Sequence, residues 1–262
     1  MTELVHQISK RRLLVARFSR SLRGGLTGLA VLTLAGTAAA CGSVQPALER
    51  VRAAPERTAP EREDKPARAS VDCNRAKCVA LTFDDGPSAS GSTDDVLAAL
   101  ERENAKATFF MLGERAQEYP DLARKVVEEG HEIANHSWDH SSLAKQSPDQ
   151  IRKSVSDSGA AIKKATGVEP ILLRPPYGAT NATVREIVEK LGYRQKMWDV
   201  DSRDWESKDA NKVVRSVLAD IDAGETVLLH DIHQSTADAV PELIKQLKKR
   251  GFTMVTVSQL KA

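Results

Sequence analysis

Two aspartates stand side by side at Asp84-Asp85, just before Gly86-Pro87. Adjacent carboxylates at one place can divide labour, one holding a cation while its neighbour takes a proton from water or substrate. Further on, His136 and His140 are four residues apart. On a helical turn that spacing places both imidazoles on one face, about 5–6 Å apart at Cβ. Two imidazoles and a carboxylate form a catalytic zinc set with a position left open for water or substrate, and Asp85 is the natural third ligand. Cobalt and nickel accept the same donors. Arg174, the acidic run Asp199, Asp201 and Asp204, and His230 add a cation, more carboxylates and a third imidazole. Each has a plainer reading alone: a solvent-facing Asp-Asp-Gly turn, unrelated surface histidines, a surface ion pair at Arg174, and a turn or helix-cap residue at Asp201.

What favours chemistry is where these residues fall among the elements. Apolar, strand-like runs occur at 78–83, 106–111, 131–135, 171–174, 194–199, 226–229 and 252–257. Amphipathic, helix-like stretches lie between them, at Thr93–Arg102, Leu122–Glu129, Gln150–Thr166, Ala182–Leu191, Val213–Ile221 and Ala237–Lys249. Pro120-Asp121, Ser147-Pro148 and Thr180-Asn181 offer helix starts, and Gly130, Gly167 and Gly192 offer stops. The alternation predicts an α/β fold, a distorted and incomplete (β/α) barrel of about seven parallel strands in a single domain. Reactive groups of such a fold gather at the C-terminal ends of its strands. Titratable groups follow five of the seven expected strands, at Asp84-Asp85, His136–His140, Arg174, Asp199–Asp204 and His230-Asp231.

Charge separates the chain into two parts. Residues 1–71 carry 12 Lys/Arg against 6 Asp/Glu, and residues 72–262 carry 26 against 30, a net −4 that argues against a phosphate-tracking nucleic-acid binder. A basic region, the short apolar run Leu26–Ala40 and the small residues Ala38-Ala39-Ala40 have the anatomy of a secretory signal peptide over residues 1–40. Cys41-Gly42-Ser43 resembles a bacterial lipoprotein processing site, although Ala38 stands where that motif has leucine. The same alanines suit ordinary cleavage and release. The expectation is therefore an exported protein, held at the outer face of the cell membrane through a lipid on Cys41 or secreted. Residues 41–71, rich in Pro, Ala, Glu and Arg, read as a disordered tether. Cys73 and Cys78 then form the pair expected in an oxidising compartment, closing a short disulfide loop at the start of the folded domain, residues 72–262.

Taken in order, Thr82–Pro87, His136–His140, Arg174–Tyr177, Asp201–Trp205 and Leu228–His230 resemble the five motifs of the polysaccharide deacetylases, carbohydrate esterase family four. The resemblance spans residues 78–262. It implies a divalent metal, usually zinc, on Asp85, His136 and His140, and hydrolysis of an acetyl group from a sugar, most often from N-acetylglucosamine. It further implies an oxyanion donor in the backbone N–H of Tyr177, a carboxylate partner for His230 in Asp201, and a pocket for the acetyl methyl at Leu228. Beside it, the chemistry of the residues suggests Asp84 as general base, Arg174 as the cation that orients it and keeps it ionised, and His230 as the acid that protonates the leaving nitrogen. Trp205 either walls a sugar site by stacking or packs in the core. Trp138 reads as packing behind the histidines, and His131 and His233 read as exposed histidines without a role. The expected substrate is peptidoglycan. Chitin oligomers or acetylated xylan are the alternatives, and a non-catalytic sugar-binding module is the rival from another class. The chain is expected to act as a monomer.

Overall fold

A strand covered on both faces needs side chains that can lose all contact with water, and Cys78–Phe83 supplies them. The computed structural model describes residues 71–260. The expected signal peptide, Cys41 and all of the tether before Val71 lie outside the described residues. β1 (Lys77–Asp84) is followed by α1 (Ser92–Arg102), β2 (Ala107–Met111), α2 (Gly113–Glu118), α3 (Pro120–Glu128) and β3 (Glu132–Asn135). Next come α4 (Pro148–Thr166), β4 (Leu172–Leu173), α5 (Ala182–Lys190), β5 (Arg194–Gln195), β6 (Val200–Asp201) and α6 (Asp204–Ser207). The chain continues through α7 (Ala210–Asp220), β7 (Thr226–His230), α8 (Gln234–Lys249), β8 (Phe252–Met254) and α9 (Val257–Leu260).

Seven strands run in the order β5-β4-β3-β2-β1-β7-β6, every neighbouring pair parallel. The eighth, β8, pairs with the first residues of β1 at Lys77–Val79. The sheet curls into a half-barrel whose two end strands, β5 and β6, are consecutive in sequence. Here the structure corrects the sequence reading. The single strand expected over 194–199 breaks after Gln195, and a new strand begins at Val200 on the opposite edge. The intervening residues cross the gap, which is why the barrel is incomplete.

Alternation along β1 sorts its side chains onto two faces. Val79, Leu81 and Phe83 pack with Val96, Leu100, Val240 and Leu243 under the helical layer. Ala80 packs on the opposite face with Phe110, Ala134 and Leu172. Thr82 and Asp84 continue that inner face, so Asp84 enters the barrel as the last member of a series begun by Ala80. Local signals in the helices match their ends. Ser147 and Gln150 form a capping box at the start of α4, Gly167 ends it at φ 76°, and Asn181 caps α5 through the Val184 N–H. Cys73 and Cys78 form a disulfide with their Cα atoms 5.5 Å apart. Among the described residues no helix is long and apolar enough to cross a membrane.

Candidate active site

Parallel register brings the chemistry to one end of the sheet. Asp84 is level with His230 across the β1–β7 ladder, and Asp201 is level with Leu228 across β6–β7. The strand stops at Asp84 because Asp85 adopts a left-handed φ of 73°, which turns its side chain off the alternating pattern. Gly86 follows, joined to Pro87 by a cis peptide bond. A Cβ on Gly86 would stand 2.2 Å from Asp231 Oδ2, so the turn seats directly on that carboxylate and only glycine fits there.

The two aspartates thus separate. Asp84 Oδ1 accepts a 2.7 Å hydrogen bond from Arg174 Nη1, in an ion pair that is essentially without solvent contact on either side. Arg174 is fully buried, so the surface ion pair is excluded for it. Its guanidinium also donates to Thr82 Oγ1 (2.8 Å), Lys196 O (3.1 Å) and Met197 O (3.0 Å), and lies over the Phe110 ring at 4.0 Å. Burial alone draws its pKa down, against the opposing charge and hydrogen bond of Asp84.

Asp85 Oδ1 is buried and has no hydrogen-bond partner, yet His136 Nε2 and His140 Nε2 each stand 3.4 Å from it. The three donor atoms lie within 4.8 Å of one another. His136 Nδ1 is 2.7 Å from the Arg174 carbonyl, which takes the ring proton on that side and leaves Nε2 as a lone pair facing Asp85. Burial pulls the His136 pKa down despite Asp84 and Asp85, keeping the imidazole neutral. An orphaned carboxylate oxygen between two imidazole nitrogens is the arrangement a divalent cation satisfies, and this donor set fits one. The two histidines do not reach it from a helix, as the four-residue spacing suggested. Residues 136–140 form a loop in which Ser137 and His140 have φ of 74° and 62°. Asn135 pins that loop by accepting from the Ser137 N–H and donating to the Val155 carbonyl.

The carboxylate on His230 is Asp204, not Asp201. Asp204 Oδ1 is 2.8 Å from His230 Nδ1, and Oδ2 accepts from the His230 N–H (2.7 Å) and from Thr236 Oγ1 (2.7 Å). Asp201 Oδ1 instead accepts from the Arg203 N–H two residues on, closing the turn that carries Asp204 inward. Burial by itself would depress the His230 pKa. The hydrogen bond and charge of Asp204, aided by Asp84 and Asp85, outweigh it and lift the imidazole to about 9. Burial would likewise raise Asp204, but its bonds to His230 and Thr236 bring it below the usual carboxylate value.

These groups face a cleft of about 430 Å³ that Asp201 and Leu228 also line. Leu228 is 4% exposed and offers an apolar wall, whereas Trp205 is 51% exposed and stands at the rim rather than in the core. Tyr177, 71% exposed with φ 59°, sets its ring edge-on to His140 at 4.4 Å. Trp138 lies away from the cleft, with its ring against Gly113 and its backbone N–H donating to Ser154 Oγ. Sequence reasoning passed over three residues here. Trp198 and His233 line the cleft, and His233 brings its ring centroid to 6.1 Å from that of His230. Asp231 is fully buried beneath Gly86; burial pushes its pKa up to about 7, and its Oδ2 accepts from Thr93 Oγ1. His131 is not exposed. It is buried at the start of β3, its Nδ1 accepts from the Ala107 N–H, and burial followed by the charge of Lys106 lowers its pKa to about 3.

Comparison with known proteins agrees with this geometry. Residues 72–196 match the family model described as polysaccharide deacetylase. The peptidoglycan-N-acetylglucosamine deacetylase of Bacillus cereus is 37% identical over 192 residues, covering 71% of this chain and 89% of that protein. The peptidoglycan-N-acetylmuramic acid deacetylase PdaC of Bacillus subtilis is 40% identical over 195 residues, or 74% of this chain. The chain spans only 41% of that relative's length. A solved structure titled "T48 deacetylase with substrate" superposes with a TM-score of 0.69 at 43% identity, covering 72% of this chain and 93% of the other. The chain belongs to the polysaccharide deacetylase family.

Proposed function

We propose that this protein removes the acetyl group from N-acetylglucosamine residues of peptidoglycan by metal-dependent amide hydrolysis. The observation that carries the reading is a single cleft holding a buried Asp84–Arg174 pair, the Asp85-His136-His140 cluster and the His230–Asp204 pair. The two named Bacillus relatives are peptidoglycan deacetylases, which supports the choice of glycan.

Asp85, His136 and His140 hold the cation, and zinc suits this set. When bound, it supplies Lewis-acid polarisation of the acetyl carbonyl and acidification of water. Arg174 occupies Oδ1 of Asp84, so Oδ2 is the oxygen that takes a proton from the attacking water. The backbone N–H of Tyr177 donates to the oxygen on which charge develops. Leu228 and Trp198 enclose the acetyl methyl, and Trp205 gives the sugar a stacking face at the rim. His230, with Nδ1 committed to Asp204, presents its other nitrogen to the cleft and protonates the departing amine. Export through residues 1–40 with a lipid on Cys41, or simple cleavage there, would hold or release the domain beneath the wall.

Acetate release by the full chain from peptidoglycan, chitin oligomers and acetylated xylan, with and without chelator, tests this reading. Release should be highest on peptidoglycan and should fall away with chelator. Dominant activity on xylan would end the wall assignment, and zinc-supplemented protein inert on all three glycans would favour a non-catalytic module.

A further inference from the structure

The far side of the turn that carries Trp205 forms a second depression, of about 410 Å³. Arg203, Glu206 and Ser207 make one wall, and Lys212 and Arg215 of α7 make the other. The three cations are exposed, and among the described residues none of them forms an ion pair. Three unneutralised cations against one carboxylate in a single hollow stand out on residues 72–262, whose net charge is −4. Ser207 adds a buried hydroxyl oxygen with no hydrogen-bond partner.

This hollow and the active cleft share α6 as a common wall. Trp205 lines the active cleft, while Arg203 before it and Glu206-Ser207 after it line the other. One helix is about 10–12 Å across with its side chains, so the basic hollow lies within reach of a chain of sugars that extends from the active cleft past Trp205. The wall is held fixed, because Asp204 is fully buried and bonded to both His230 and Thr236. A group seated in the hollow is therefore placed at a set distance from His230.

We propose that this hollow binds carboxylates carried on the same polymer whose acetylated sugar occupies the active cleft, so that the protein selects an anionic glycan over a neutral one. The inference rests on the deacetylase reading given above. Arginine matches a carboxylate with two parallel hydrogen bonds, and a lysine beside it adds charge. In peptidoglycan two sources carry that chemistry, the carboxylates of the stem peptides and, where a stem peptide is missing, the lactyl carboxylate of muramic acid that its amide bond would otherwise occupy.

The test compares the full chain with Lys212→Glu/Arg215→Glu and with the charge-keeping Lys212→Arg/Arg215→Lys, in co-sedimentation with insoluble peptidoglycan and with chitin at low and high salt. Charge reversal should weaken peptidoglycan binding about tenfold and abolish most of its salt dependence. Chitin binding should be the same for all three proteins, and the charge-keeping pair should hold peptidoglycan like the parent. Amidase treatment removes the stem peptides and frees a lactyl carboxylate at each cut, which identifies the source: the difference between the proteins shrinks on treated peptidoglycan if the stem peptides are bound and grows there if the lactyl group is bound. Equal binding of peptidoglycan by all three proteins, or equal loss on chitin, overturns the proposal. Charge-dependent binding without acetate release from any glycan would overturn the deacetylase reading and leave the anion site standing.

Discussion

The carboxylate of Asp84 divides its oxygens, Oδ1 to Arg174 and Oδ2 toward the cleft, 3.6 Å from His136 Nε2. Asp84→Asn keeps the shape, and Asp85, His136 and His140 are untouched. We predict that zinc binding, followed by calorimetry, survives while acetate release falls by about 10²–10⁴; a variant retaining most of its turnover would show the base to be misassigned. As the proposed acid, His230 would govern the opposite limb of the pH profile. Its folded pKa of about 9 lies above the ordinary 6.5, so it holds its proton more tightly folded than unfolded. The stability this contributes is complete below about 6.5 and is lost as pH rises through about 9. In the proposed mechanism the acid would be spent over the same alkaline range. A dication near Asp85 opposes part of the carboxylate field, so the alkaline limb of the loaded enzyme falls below 9. Asp204→Asn removes the main support, and that limb should move down by roughly 1–3 units while Asp201→Asn leaves it in place. The pH dependence of acetate release by the two variants distinguishes them. Choosing Asp204 over Asp201 was beyond the sequence for a local reason: both follow the strand expected over 194–199 in one short acidic run, and what separates them is the left-handed φ of 54° at Arg203.

At the scale of elements, Arg174 ties three parts of the sheet together. It leaves the end of β4 and bonds Thr82 and Asp84 of β1 together with the carbonyls of the segment that follows β5. Removing one partner of such a pair strands a buried charge, so Arg174→Met should lower unfolding stability by about 3–5 kcal/mol in denaturant titrations. Adding Asp84→Asn should return part of that loss, since the stranded carboxylate is gone; a strictly additive double variant would refute the coupling. The main strands, the helices with their caps and the clustering of polar groups at strand ends were legible in the sequence because period and punctuation encode them. The fate of 194–199 was not, since six residues of strand character say nothing of a break after Gln195. The His136–His140 loop was hidden similarly. Its geometry depends on Asn135 and on two left-handed residues, neither of which a four-residue spacing reveals.

For the whole molecule, the Cys73–Cys78 disulfide fastens the described N-terminus at the end of β1 opposite Asp84. A loop this short restricts the unfolded chain by only about 2 kcal/mol. Cys73→Ala/Cys78→Ala, which puts no hydroxyl into the buried Cys78 position, should therefore lose about that in unfolding free energy and keep its acetate release, because β1 places some 20 Å of strand between Cys78 and Asp84. A loss of activity matching the loss of stability would mean the loop supports the cleft directly. The crossing from β5 to β6 has a different bearing, on how the molecule assembles. A guanidinium leaves water at acceptable cost only when its donors all find acceptors, and those of Arg174 come from β1 and from Lys196-Met197 on the crossing itself. A sheet with Arg174 inside but the β5–β6 crossing not yet in place would lack the Lys196 and Met197 carbonyls, so seating of the crossing and formation of the Asp84 site are one event. Unfolding followed at Trp198, which lies on the crossing, and by backbone circular dichroism should give coincident transitions. The protein would then pass between an open chain and a finished catalytic cleft with no populated state that is folded but chemically incomplete.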